Sequence, residues 1–128
     1  NKQDKSVVAI ALEAEAYHTL VPLVQAGAEV NAEDLKPVFA KIDRRNEVRL
    51  AKALLFLREV PYPALRPELL KVANSTALSP STRADAIIAL HAAGHANAVT
   101  MMDLLIDKTS SDAVRRLLEA KRTELERQ

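Results

Sequence analysis

Three stretches of this chain share one layout, and that internal repetition constrains the fold more than any other feature. They are PVFAKIDRRNEVRLAKALLFL from Pro37, PELLKVANSTALSPSTRADAIIAL from Pro67 and TMMDLLIDKTSSDAVRRLLEA from Thr100. Each reads as a short apolar helix, a polar turn and a longer helix that opens with an arginine. The arginines are Arg49, Arg83 and Arg115, 34 and 32 residues apart. Units of this kind stack on their neighbours, which brings equivalent positions side by side.

The local punctuation fits the same layout. Ser6 is positioned to cap a first helix whose apolar residues Val7, Ile10, Ala11, Ala14, Tyr17, Val21 and Val24 step by threes and fours to Gly27, with a kink expected at Pro22. Asp34 opens a second helix through Pro37 to about Ile42. Glu47 to Glu59 form a third, apolar around most of its circumference and so expected to be the most deeply buried. A short helix covers Glu68 to Ala73. Ser79 and Pro80 then read as N-cap and first residue of a helix closed by Gly94. Residues 97–107 and 111–126 complete the set, with Ser110 or Ser111 as the last cap. Seven helices result, joined by connections short enough for antiparallel neighbours. Hydrophobic residues make up 48% of the 128, aromatics only 3%, and glycine occurs twice. That balance favours an all-α domain spanning 1–128 over a twisted sheet.

The second helices carry a resemblance. TRADAIIALHAAG, from Thr82 to Gly94, follows the V-R-x-x-A-x-x-A-L-x-x-x-G pattern with Thr for Val; EVRLAKALLFL keeps Val48 and Arg49; DAVRRLLEA keeps Val114 and Arg115. This resembles the HEAT-like α-helical repeat family. The resemblance implies a right-handed α-α superhelix: a capping helix within residues 1–30, then three helix-pair repeats over 35–126. The spacing is shorter than the roughly 40–47 residues usual for such units. VQAGAEVNAED, residues 24–34, also looks like the loop end of an ankyrin repeat, but the G-x-T-P-L turn is missing. In HEAT-like units the arginine bonds toward the preceding turn, which makes Asp43 or Asp112 candidate acceptors. Alternatively, Arg49, Arg83 and Arg115 form a ladder facing an acidic ligand.

Constellations that carry chemistry are sparse. There is no cysteine, which rules out disulfides and thiolate chemistry and suits cytoplasm or periplasm equally. No apolar run reaches the roughly 18 residues of a membrane span, so the chain reads as soluble. It opens on Asn1 rather than Met, which leaves room for an upstream segment. His91 and His95 are four apart and share a helix face if the helix is unbroken, with Asp103 as a third metal ligand. Gly94 lies between them, and HAAGH lacks the glutamate of H-E-x-x-H, so no metal or other cofactor is expected. His18 reads as a flank of the first helix. Serines fall in cap and turn contexts, and neither Glu13 with Glu15 nor Glu124 with Glu126 shares a helix face. The expectation is a protein without enzymatic activity.

Binding is what remains. With 18 basic and 17 acidic residues the net charge is +1, so no global field draws the chain to nucleic acid or an acidic membrane. The expected role is a protein-interaction scaffold, with Phe56, Ile88, Met101 and Met102 as apolar anchors on the repeat surface and Tyr62, between Pro61 and Pro63, as a loop contact. The alternative is a nucleic-acid binder using Lys41, Arg44, Arg45, Arg49 and Lys52.

Overall fold

Capping chemistry delimits the helices. The computed structural model describes the backbone of residues 2–127 and the side chains of residues 8–127. Among the described residues there are eight α-helices and no strand: α1 Lys2–Glu13, α2 Tyr17–Gln25, α3 Ala32–Leu35, α4 Glu47–Glu59, α5 Arg66–Ala73, α6 Pro80–Ala92, α7 Ala98–Lys108 and α8 Asp112–Glu126. From α4 onward the sequence places every helix within two residues of its observed ends. None is long and apolar enough to cross a membrane.

The first third departs from expectation. The single helix read through to Gly27 is two helices, and the break falls at Glu15 rather than Pro22, which lies inside α2. Glu15 sits at φ 54°, while its N–H bonds Leu12 O (3.1 Å) and the N–H of Ala16 bonds Ala11 O (2.8 Å). This paired bonding is the Schellman helix end, which normally takes glycine because a Cβ costs about 1–2 kcal/mol in the left-handed region. Gly27 (φ 108°) and Gly94 (φ 82°) end α2 and α6 with the same two bonds. Ser6 falls inside α1, and its expected capping side chain and the Val7 side chain lie outside those described.

Asp34 does not cap the next helix. The cap position is Asn31, whose N–H is accepted by the Asp34 carboxylate at 3.1 Å. The α-turn then tightens into a 3-10 turn over Lys36–Ala40, with Pro37 in its first turn where no donor is missed.

Neighbour contacts repeat along the chain. Successive elements pack in pairs: α1 with α2, the 3-10 turn after α3 with α4, α5 with α6, α7 with α8; and α2 packs on α4, α4 on α6, α6 on α8. The predicted lone capping helix is thus itself a pair. Apolar side chains from Val8 to Leu118 form one contiguous core. Its centre is α6, not α4 as expected: Ala84, Ala86 and Ala89 are fully buried, and such small side chains let α4, α5 and α7 approach from three sides. The outer face of α8 carries Arg116, Glu119, Thr123 and Glu124, all exposed, so that end presents polar surface.

Candidate functional site

The repeated arginines bind the protein itself. Arg83 Nε donates to Ala73 O at 2.8 Å, and Arg115 Nη2 to Thr109 O at 2.8 Å. Each guanidinium, one turn into the second helix of its pair, thereby satisfies a carbonyl at the end of the first helix. Arg115 also bonds Asp112 Oδ1 (2.8 Å), the expected acceptor.

Between the 3-10 turn over Lys36–Ala40 and α4 the task passes to Asn46. Its buried Nδ2 donates to Val38 O and Lys41 O, both at 2.8 Å, closing the 3-10 turn, while Asp43 accepts the Asn46 N–H rather than a guanidinium. Arg49 bonds Asn46 Oδ1 (3.1 Å) and reaches across to Glu15, with Nε 2.8 and 2.9 Å from the two carboxylate oxygens. The guanidinium holds the Glu15 carboxyl below its ordinary range, chiefly through that hydrogen bond. With all three arginines bonded internally, they do not form a ladder open to an acidic ligand.

Most proposed anchors are core residues. Phe56 is 1% exposed, Ile88 3% and Met102 0%, because α4 and α6 are packed on both flanks and α7 lies on α6. Met101 is half-buried against the same core. Tyr62 is also half-buried: its hydroxyl donates to Val30 O at 2.6 Å and its ring lies 6.0 Å from Phe56. Phe56 in turn lies 6.1 Å from Tyr17, so three of the four aromatics stack between α2, α4 and the loop after α4. Burial pushes both tyrosine hydroxyls above their ordinary pKa.

Helix α6 stops before Gly94, as that residue suggested. Helix α6 ends at Ala92, between His91 and His95, and the His95 N–H closes back on Leu90 O. Asp103 accepts from Arg122 Nε at 2.8 Å. Among the described residues no three His, Cys, Asp or Glu side chains are grouped to hold a metal ion.

A groove opens where the α1–α2 corner meets α4, with a volume of about 660 Å³. Tyr17, Val21 and Phe56 contribute apolar surface; Glu15, His18, Lys52 and Glu59 bring polar groups to it. His18 is therefore an exposed groove residue, not merely a helix flank. Beside the groove runs the outward stripe of α4: Val48 (69% exposed), Lys52, Leu55 (53%) and Glu59. Leu55 lines the groove and stands out from it. Arg58, which also lines the groove, pairs through Nη1 with Asp85 Oδ1 at 2.9 Å; burial nevertheless raises the Asp85 carboxyl above its ordinary range. An apolar floor suits an inserted apolar side chain.

A helix apolar around most of its circumference and most deeply buried would cover Val48 and Leu55, yet both are exposed. The contrary signal is in the sequence: Lys52 and Glu59 fall on the same stripe, four and three residues from these apolar positions, and charges at that spacing mark a solvent face. No protein-family model, curated protein or solved structure matches this chain.

Proposed function

We propose that this chain is a HEAT-like, non-enzymatic protein-binding module that receives a partner's apolar side chains in the groove between the α1–α2 corner and α4. The observation carrying the reading is the groove itself: about 660 Å³, floored by aromatic and aliphatic side chains, with Leu55 standing 53% exposed at its edge. The repeat architecture is supported by the shared carbonyl-capping role of Arg83 and Arg115 and by the succession of α2, α4, α6 and α8 as neighbours. A right-handed superhelical course follows from that likeness.

The test is affinity capture from the native source, with and without nuclease, using the wild type, Leu55→Asp and a double Arg44→Glu, Arg45→Glu variant. Leu55 is the diagnostic position because Phe56 is core, and its substitution would unfold the domain. A protein captured despite nuclease, and lost with Leu55→Asp, supports the reading. Capture abolished by nuclease and by the double arginine change would favour nucleic acid on Lys41, Arg44 and Arg45, which are exposed.

A further inference from the structure

The outward stripe of α4 has a charge order that complements itself. Lys52 and Glu59 are seven residues apart, about 10 Å along the axis at the helical rise. Leu55 and Phe56 lie midway between them. Turned through a two-fold axis at that midpoint, the stripe sets Lys52 against Glu59 of the second copy and Glu59 against its Lys52, with the two Leu55 side chains at the centre. Neither Lys52 nor Glu59 has an ion-pair partner among the described residues, whereas Arg49 and Arg58 are both paired.

The shape is self-complementary too. An isologous contact requires a projection and its receptor on one patch. Here Leu55 projects beside a groove that Tyr17, Val21 and Phe56 floor, so each copy inserts its Leu55 into the other's groove, a ridge entering a groove as between packed helices. Val48, 69% exposed one turn beyond Lys52, extends the apolar contact. A net charge of +1 leaves little long-range repulsion between copies.

We propose that this chain forms a two-fold dimer through the outward face of α4, with Leu55 seated in the partner's groove and Lys52 paired to Glu59 of the second copy on both sides of the axis. The proposal rests on the protein-binding reading of the groove and names a second copy of the chain as its occupant.

Charge reversal tests it by sedimentation equilibrium of the purified protein from about 1 μM to about 1 mM. The wild type is expected to show a concentration-dependent dimer. Lys52→Glu and Glu59→Lys each turn two attractions into two repulsions and weaken dimerisation about tenfold. The double swap restores the wild-type constant, and an equimolar mixture of the two single variants forms a heterodimer tighter than either homodimer. Leu55→Asp is monomeric. All these side chains are exposed, and circular dichroism checks that each variant is folded. A wild type monomeric throughout that range, or a dimer indifferent to charge reversal and to Leu55→Asp, overturns the proposal. A monomer that still captures a different protein through Leu55 overturns self-pairing alone and leaves the protein-binding reading standing.

Discussion

Asn46 offers the sharpest test of how the 3-10 turn is closed onto α4. Its side chain is 7% exposed and donates two 2.8 Å hydrogen bonds, one to the buried Val38 carbonyl and one to the Lys41 carbonyl. In Asn46→Ala water can take over at the exposed Lys41, so that loss is about 1 kcal/mol, whereas the Val38 carbonyl is stranded at about 1–3 kcal/mol. The sum is about 2–4 kcal/mol, which for a domain of this length lowers Tm by about 8–15 °C. Asn46→Asp keeps the shape but at neutral pH has no proton to donate, and it turns a carboxylate toward two carbonyl oxygens. Arg49, 3.1 Å from Oδ1, offsets only part of that repulsion. The Asp variant is therefore less stable than the Ala variant at pH 7. Its carboxyl pKa in the folded state is raised, so the penalty is full above that folded value and fades as pH falls through it toward the unfolded value. Urea unfolding followed by circular dichroism at pH 7 and pH 4 reads both effects. An Asp variant as stable as the wild type at pH 7 would refute the claim that the amide nitrogen holds those carbonyls.

Three further outcomes are expected. Gly94→Ala should cost about 1–2 kcal/mol through φ 82° alone, since an added Cβ meets nothing within 4 Å, while Glu15→Gly should change thermal stability less because relief of the φ 54° strain opposes loss of the Arg49 pair; equal losses in calorimetry would contradict this. Glu15 has a folded pKa below its ordinary 4.5, so its stabilising share is full above that value and is lost as pH falls through the folded pKa. Asp85, whose folded pKa is raised, acts oppositely over the same acid range. Glu15→Gln should consequently flatten the acid side of a Tm–pH curve, and an unchanged slope counts against the pair. Glu47 accepts both the N–H (2.8 Å) and the hydroxyl (2.9 Å) of Ser79, so Glu47→Ala should cost about 2–3 kcal/mol in urea unfolding and loosen the start of α6, seen as faster amide exchange there.

That last contact shows where a local rule gives out. Ser79 and Pro80 are identified as the start of α6 from neighbouring residues alone, and the helix begins there. Yet the Ser79 hydroxyl donates to Glu47, 32 residues away, and accepts no backbone N–H of its own first turn, where its neighbour is the Thr82 hydroxyl at 3.3 Å. Asn46 was legible only as part of a polar turn, because its two acceptors come close only when the 3-10 turn folds back on α4.

Short-range physics explains what the sequence determined by itself: the all-helical class, the ends of α4 to α8, and the helix end at Gly94 between the two histidines. Prolines, caps and left-handed glycines act within a turn of where they stand. Tertiary packing decided the rest. Glu15 holds a glycine's conformation, which no residue preference would place there, while its carboxylate meets Arg49 across the molecule. Phe56, Ile88 and Met102 are buried while Val48 and Leu55 are not, because burial depends on which flank of a helix receives a neighbour. A period of 3.6 residues states that a helix has faces; only the helices packed beside it decide which of those faces meets water.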